Sequence, residues 1–339
     1  CPDAGTFWYH SHLKSNEQIE RGLYGPLIVE EPEPLDIDAD HVLMIDDWRL
    51  DQTAQIIGDF QNGHDLSHGG RLGNVVTCNG AMELRLTGRQ GDRLRLRLIN
   101  AANARVFTLA LHGMRGWIVA TDGMPVSQPR LVNGTFLLAP AQRLDLIVDI
   151  TDNDEATLLD VVGEDSFALA SFAVSGSGSP RQSPPAPLPP NPNSTPADQA
   201  DARQLVVKMQ GGAMAWLGSA NSAAGEKSGR DLAADGLFWA LNDYAGRPGA
   251  PLAELNVGEP AIIEFVNDTM WPHAMHLHGH HFFELDATGT PGDFRDTTLV
   301  HRGETRRVLL SADNPGDWLL HCHMLGHHAA GMGTWIKVS

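Results

Sequence analysis

Apolar and polar residues alternate with a period close to two in several short stretches of this chain. Leu94, Leu96 and Leu98 alternate with Arg93, Arg95 and Arg97; Leu144, Leu146 and Val148 alternate with Arg143, Asp145, Ile147 and Asp149. Successive side chains of a strand point to opposite faces, so each stretch reads as a half-buried strand, and Arg306–Leu310 reads the same way. Glycine, proline, asparagine and aspartate punctuate these runs, as in Asn79-Gly80, Asp122-Gly123 and Asn314-Pro315-Gly316. Long helical patterns are scarce. The expected fold is all-β, in sandwiches or barrels.

The 339 residues suit two domains and part of a third at about 150 residues each. From Ser175 to Pro196 serine, glycine and proline dominate, with Pro184-Pro185 and Pro189-Pro190, which reads as an extended linker over 176–199. Glu30-Glu31-Pro32-Glu33-Pro34 marks a softer boundary. The expected organisation is a C-terminal remnant of a first domain (1–34), a second domain (35–175), the linker, and a third domain (200–339). Asn79-Gly80 followed by Arg97-Leu98-Ile99-Asn100 has a weak echo in Leu255–Val257 and Val266-Asn267, which hints at an internal repeat. The chain opens on Cys1-Pro2-Asp3-Ala4-Gly5, with neither an initiator methionine nor an apolar leader, and the expectation is that an upstream part is missing. Three cysteines are too few for a disulfide framework. Cys78 reads as a small core residue, and a bridge to Cys1 stays open.

The 24 Lys and Arg against 42 Asp and Glu give a net charge of −18. That argues against a nucleic-acid or anionic-membrane binder and suits cationic partners, metal ions among them. No apolar run is long enough for a membrane-spanning helix.

Sixteen histidines are the main functional clue. Three groups stand out: His10-Ser11-His12; His273-Ala274-Met275-His276-Leu277-His278; and His321-Cys322-His323, followed by His327 and Met332. Residues i and i+2 of a strand share a face, so each His-x-His pair can reach one site while Cys322 points away from His321 and His323. The third group therefore touches two sites joined by one peptide. A lone strand histidine is ordinarily a hydrogen-bonded core or surface residue, but three pairs and a cysteine together point to metal. Cys322, His327, His273 and Met332 offer a thiolate, two imidazoles and a thioether, the donor set of a blue-copper electron-transfer site. His10, His12, His276, His278, His321 and His323 offer six imidazoles. That is too many for one metal, with too few carboxylates for a di-iron centre, and it suits several coppers.

The stretches Gly5-Thr6-Phe7-Trp8-Tyr9-His10-Ser11-His12, His273-x-x-His276-x-His278-Gly279 and His321-Cys322-His323-x3-His327-x4-Met332 resemble three of the four copper signatures of the multicopper oxidases. Gly22–Val29 and Asp122-Gly123 are similar to that family as well. Nearly the whole chain resembles a bacterial three-domain, laccase-like enzyme. The resemblance implies tandem cupredoxin-like Greek-key β-sandwich domains. It implies that His273, Cys322, His327 and Met332 hold a type 1 copper and His276 a type 2 copper. His10 and His323 would hold one type 3 ion, and His12, His278 and His321 the other, giving about four coppers per intact protein. Electrons from a phenol, an aromatic amine or a metal ion would pass along His321-Cys322-His323 to reduce O2 to water. Cys322, His321, His323 and His327 would then be the catalytic residues. The family's His-x-His-Gly signature, which would supply two further imidazoles, is expected on the missing N-terminal segment.

Many bacterial relatives carry a glutamate after the last ligand histidine. This chain has His328 there, and the expectation is that it passes protons to the oxygen site. Met209–Tyr244 contains only Met209 and Met214, unlike the Met-rich insert of cuprous oxidases, which lowers the case for a dedicated Cu(I) substrate. Asp268 and Met270 are candidates for the surroundings of the type 1 site. His41, His64, His68, His112, His280, His281 and His301 read as surface or loop residues. A periplasmic or secreted location is expected from the copper chemistry and the resemblance. The main alternative is a periplasmic copper-binding or copper-tolerance protein, either a cuprous oxidase or non-catalytic. A relative that has lost copper and, more distantly, a two-domain copper nitrite reductase complete the alternatives.

Overall fold

Arg93–Asn100 and Arg143–Ile150 are neighbouring antiparallel strands, and their register explains the alternation. Leu98 faces Leu144, Leu96 faces Leu146 and Leu94 faces Val148 on one side of the sheet; Arg97 faces Asp145 and Arg93 faces Asp149 on the other. The computed structural model describes residues 2–176, 178–179, 181–192, 194–215 and 217–339, so Cys1 lies outside the described residues. These residues divide into two units. The first takes the chain up to Ser11, Ile19–Ile57 and Gly73–Ser194; the second takes His12–Gln18, Gly58–Leu72 and Thr195–Ser339.

The strands of the first unit are β1 (Gly5–His10), β2 (Tyr24–Val29), β3 (Ala39–Trp48), β4 (Val75–Cys78), β5 (Leu84–Arg89), β6 (Arg93–Asn100), β7 (Phe107–His112), β8 (Met114–Thr121), β9 (Met124–Leu131), β10 (Phe136–Leu138), β11 (Arg143–Ile150), β12 (Glu155–Val162) and β13 (Asp165–Ser175). They form a β1–β2 ribbon, a sheet ordered β4-β3-β6-β11-β8-β9 and a sheet ordered β10-β7-β12-β13-β5. Leu43, Leu96, Leu98 and Leu146 from one sheet meet Phe107, Leu158 and Phe172 from the other in a fully buried core, where Cys78 also lies with a free thiol. Each such side chain contributes about 1.5–3 kcal/mol of burial. Asp122 and Gly123 both have positive φ (49° and 84°), as the tight turn between β8 and β9 requires.

The expectation of half-buried strands is corrected here: every residue of β6 and β11 is buried. Arg95 reaches Asp145 at 2.5 Å and Glu31 at 2.7 Å, and Arg93 grips Asp149 through two bonds of 2.6 and 2.8 Å. Arg97 holds Asp40 at 2.8 Å, while the Thr6 hydroxyl donates to Asp145 at 2.9 Å. Chain from distant parts of the sequence covers this face and brings the acceptors its guanidinium groups need. The proline-rich stretch belongs to that cover. Among its described residues beyond β13 none lies in a helix or strand, but Arg181 pairs with Asp36 at 2.6 Å and Leu188 packs with Val119, Ala120 and Ile147. Asn191 brackets Ala4, accepting its N–H at 3.0 Å and donating to its carbonyl at 2.8 Å.

The strands of the second unit are β14 (Arg203–Gly211), β15 (Ser219–Ser222), β16 (Gly225–Ser228), β17 (Trp239–Leu241), β18 (Ala253–Leu255), β19 (Pro260–Asn267), β20 (His273–Leu277), β21 (Phe282–Leu285), β22 (Pro291–Arg295), β23 (Thr297–Val300), β24 (Thr305–Ser311), β25 (Gly316–Cys322) and β26 (Gly333–Val338). Short helices α1 (Ser15–Gln18), α2 (Gly63–Ser67), α3 (Gly229–Ala234) and α4 (Leu325–Ala329) belong to the same unit. Its sheets run β17-β14-β19-β24-β21-β22 and β18-β26-β25-β20-β23, beside a β15–β16 hairpin. Among the described residues no helix is long and apolar enough to cross a membrane.

The two units repeat one strand order. β3 runs parallel to β6 as β14 does to β19, and β5 runs parallel to β13 as β18 does to β26. The repeat extends to hydrogen bonds. Asn100 Nδ2 donates to the carbonyls of Arg105 and Leu138, and its Oδ1 accepts from the Ala102 N–H. Asn267 makes the same three bonds, with Trp271, Val300 and Thr269. The faint likeness of Arg97–Asn100 to Val266-Asn267 is therefore a structural repeat.

Candidate metal centre

β25 pairs with β20 so that Met275 faces Cys322 and His276 faces His321. Directly paired residues share a face. His273, Met275 and Cys322 thus project to one side of these two strands, and His276 and His321 to the other.

On the first side, Cys322 Sγ lies 3.6 Å from His273 Nδ1 and 3.7 Å from His327 Nδ1, and the two nitrogens are 3.1 Å apart. α4 follows β25 at once and brings His327 into this group. The Met332 N–H donates to the His327 carbonyl at 3.0 Å, and its own carbonyl accepts the Cys322 N–H at 3.2 Å. All four residues are fully buried.

The outer nitrogens decide the ring tautomers. His327 Nε2 is 2.7 Å from the His68 carbonyl, which can only accept, so Nε2 carries the proton and Nδ1 is bare. His273 Nε2 is 2.8 Å from Thr269 Oγ1, whose own proton goes to Asn267 Oδ1 at 2.7 Å, so here too Nδ1 is bare. Two lone pairs facing each other across 3.1 Å repel unless a cation sits between them. A trigonal ion with bonds of about 2.0 Å to imidazole and about 2.3 Å to thiolate needs N···N near 3.5 Å and N···S near 3.7 Å. The donor set fits a metal ion in both spacing and lone-pair direction. Burial pushes the Cys322 thiol up to about 12. It brings His327 down to about 4 against the lift from the His68 carbonyl, and it lowers His273 well below its ordinary value, with His327 adding to the effect. The metal-free site is neutral, and a metal must displace the thiol proton.

A strap of chain, Gly58–Leu72, covers this site. Trp239 packs its ring 5.0 Å from His273 and 4.4 Å from His327, and its Nε1–H donates to the Leu66 carbonyl at 2.6 Å. The Ser67 carbonyl accepts the Ala213 N–H at 2.6 Å. The His64 and His68 rings stack on the strap at 3.9 Å. With the His68 carbonyl on His327 Nε2, no edge of the His273 or His327 ring reaches solvent.

On the second side, His276 Nδ1 lies 3.0 Å from the Asp296 carbonyl, and His321 Nδ1 lies 2.9 Å from the Cys322 carbonyl. Both therefore turn a bare Nε2 outward. His321 Nε2 is 3.1 Å from His278 Nε2. The His12 ring is 4.7 Å from that of His278, and the His323 ring is 5.5 Å from His321 and 5.7 Å from His276. Five of the six expected imidazoles thus gather within the second unit. His12, His278 and His323 each lie just past a strand end, so turns as well as strand alternation orient them. His10 ends β1 in the first unit, its ring 4.5 Å from Trp8. Burial, together with the neighbouring His328, His323, His276 and His278, holds His321 well below its ordinary pKa.

His328 is half-buried with its ring 4.2 Å from that of His321. Burial, with His12 nearby, lowers it to about 4. Asp268 is exposed and pairs with Lys208 at 3.4 Å. His68 and His280 lie outside helices and strands, within the surface-or-loop expectation; His280 is nevertheless buried, and the His68 carbonyl accepts from the His327 imidazole. Thr269, Trp239 and Asp296 went unread in the sequence. Thr269 has a signal there, two residues after Asn267 in the repeated phrase.

Multicopper oxidase family models match residues 1–34, 39–158 and 221–339. Multicopper oxidase MmcO of Mycobacterium tuberculosis is 31% identical over 98% of this chain and 69% of its own length. The crystal structure of Lac15 from a marine microbial metagenome is 40% identical, with a TM-score of 0.76 over 100% of this chain and 76% of that one. A multi-copper oxidase from Pseudomonas thermotolerans is 31% identical, with a TM-score of 0.84 over 99% and 77%. The two sandwich units are accordingly cupredoxin-like. The chain belongs to the multicopper oxidases, a family that binds copper at type 1, type 2 and type 3 sites.

Proposed function

We propose that this protein is a laccase-like oxidase that couples one-electron oxidation of a phenol, aromatic amine or metal ion to reduction of O2 to water. The observation that carries the reading is the β20–β25 register, which aims a thiol with two bare imidazoles to one side and an imidazole cluster to the other. Bound copper would supply one-electron redox chemistry on the first side and O2 binding and reduction on the second. His273, Cys322, His327 and Met332 would hold the first ion. His12, His276, His278, His321 and His323, with His10, would hold the others.

The residues do the rest. Cys322 links the two sides through one peptide, since its thiol and the His321 and His323 rings leave consecutive residues. Thr269 and the His68 carbonyl fix the ring tautomers, and Asp296 and the Cys322 carbonyl do the same on the second side. His328 rests on the His321 ring with a donor and an acceptor nitrogen, and we assign it the passing of protons toward the oxygen site. Unchanged O2 turnover in His328→Ala would sink that role. The two remaining imidazoles would come from a His-x-His-Gly segment of the full protein. Periplasmic or secreted placement is part of the same reading, since copper chemistry suits an exported protein.

The first test is a copper count with a visible spectrum on the full protein. About four coppers and an intense blue thiolate band support the oxidase reading. Neither copper nor band after reconstitution would overturn it. A second reading, copper binding in tolerance without turnover, draws on the strap that covers both ligand rings. Steady O2 uptake with a phenol separates the two.

A further inference from the structure

The internal repeat gives the first unit a counterpart of the metal-bearing strand pair. β7 and β12 stand in the strand order where β20 and β25 stand in the second unit. Leu109 faces Asp160 as Met275 faces Cys322, and Phe107 faces Leu138 as His273 faces Val300. At the thiol position the first unit thus carries a carboxylate, Asp160, and at an imidazole position it carries Phe107.

At this end of the strand pair lies a cavity of about 360 Å³. That is the size of a small-molecule site. Its walls include Val75, Val76, Phe167 and Leu169, and its charged groups are Arg105 and Asp160. Arg105 is already engaged, with Nε on Asp47 at 2.8 Å and Nη2 on the Gly73 carbonyl at 2.8 Å. Asp160 is 4% exposed; its backbone pairs with Leu109 and Phe167, and among the described residues its carboxylate makes no side-chain hydrogen bond or ion pair, with Arg105 acting on it through charge alone. One cation and two carboxylates leave the region a net negative charge. Burial raises the pKa of Asp160, while Arg105 pulls it back. The Asp160 oxygens open on the cavity, so a ligand that enters it with a charged donor can reach them and pair with the carboxylate away from bulk water. Met82, Phe167 and Val162 stand exposed by 73%, 57% and 50%, so the lip of the cavity is apolar.

We propose that this pocket binds a small organic cation, with an apolar or aromatic body against Val75, Val76, Phe167 and Leu169 and an ammonium or amidinium group on Asp160. Where the second unit holds a thiol for metal, the first has turned the same place in the repeat into an organic-ligand site. The site stands apart from the copper reading and does not depend on it.

The test is calorimetric titration of the full protein with benzylamine, its neutral analogue benzyl alcohol, and benzoate. Wild type is compared with Asp160→Asn and with Ala168→Phe, which fills the cavity and keeps its charges. Saturable benzylamine binding is expected, about tenfold or more tighter than the alcohol, with benzoate silent. Each variant should weaken it by about tenfold or more while keeping the wild-type melting temperature within a few degrees. No saturable binding to folded wild type, equal affinity for amine and alcohol, or undiminished binding in Asp160→Asn would each overturn the proposal. Should Asp160→Asn not fold, the amine-to-alcohol ratio and Ala168→Phe decide the matter.

Discussion

Thr269→Val removes one hydroxyl and almost no volume, which makes it a clean probe of how the ligand set is held. Thr269 is 3% exposed, and its Oγ1 accepts from His273 Nε2 at 2.8 Å. In the metal-free variant the ring can switch tautomer and offer Nδ1–H to His327 Nδ1, 3.1 Å away, so little is lost. Once a metal occupies Nδ1, the proton is confined to Nε2, where valine offers no acceptor. A buried donor left unpaired costs about 1–3 kcal/mol, and the whole of it falls on the metal-bound state. Copper affinity should therefore drop by about 5- to 150-fold. Thr269→Ser, which keeps the hydroxyl, should stay near wild type. The assay is competition with a chelator, followed by the visible thiolate band, alongside urea denaturation of metal-free protein. Affinity of Thr269→Val within twofold of wild type would refute the reasoning, as would an equal loss in Thr269→Ser.

Cys322→Ser replaces the fully buried thiol with a poor copper ligand; the blue band and donor oxidation should both vanish while circular dichroism is unchanged, and a retained band would contradict the ligand assignment. Arg95→Met strands Asp145 and Glu31 without their shared guanidinium, so urea denaturation should show a loss of about 3–5 kcal/mol; a loss under about 1 kcal/mol would mean the arginine face is less dependent on pairing than its geometry implies. Asp46 is 3% exposed, and burial raises its pKa well above the ordinary value, with the Tyr24 hydroxyl at 2.5 Å opposing. Its contribution to stability is full below about pH 4 and is lost as pH rises through the folded pKa. Asp46→Asn cannot ionise, so its stability should fall less than that of wild type between pH 4.5 and 8 in paired denaturation curves; parallel curves would count against the burial argument.

The gathering of the cysteine and histidines on two faces is legible because its information is local. His-x-His spacing, the thiol between two histidines and the following His327 all lie within a few residues of each other, and strand geometry alone separates the two faces. The arginine strand was misjudged for the opposite reason. Arg93, Arg95 and Arg97 alternate like a water-facing edge, and the chain that buries them comes from Thr6, Glu31, Asp40 and Ser183, none predictable from the strand itself. The proline-rich composition predicts an extended linker, and the attachment of its described residues through Arg181 and Leu188 depends on tertiary partners that composition does not show. His68 shows a further limit. Its role is played by a backbone carbonyl, which every residue has, so no side-chain pattern could have marked it. The repeat was legible only as a few matching residues, because what the units share is an asparagine clamp and a strand order rather than side-chain identity.

The β20–β25 register makes the thiol face and the imidazole face interlocking rather than merely adjacent. Slide one strand by a single residue and Cys322 turns toward the imidazole cluster while His321 turns toward Trp239 and His327. No slipped arrangement keeps one face and loses the other. If these residues hold copper as proposed, occupancy of either face would check the pairing itself, because the thiol and the two imidazoles of His273 and His327 meet in only one alignment of the strands. A chain maturing in the presence of copper would have its β20–β25 alignment proofread by its own cofactor.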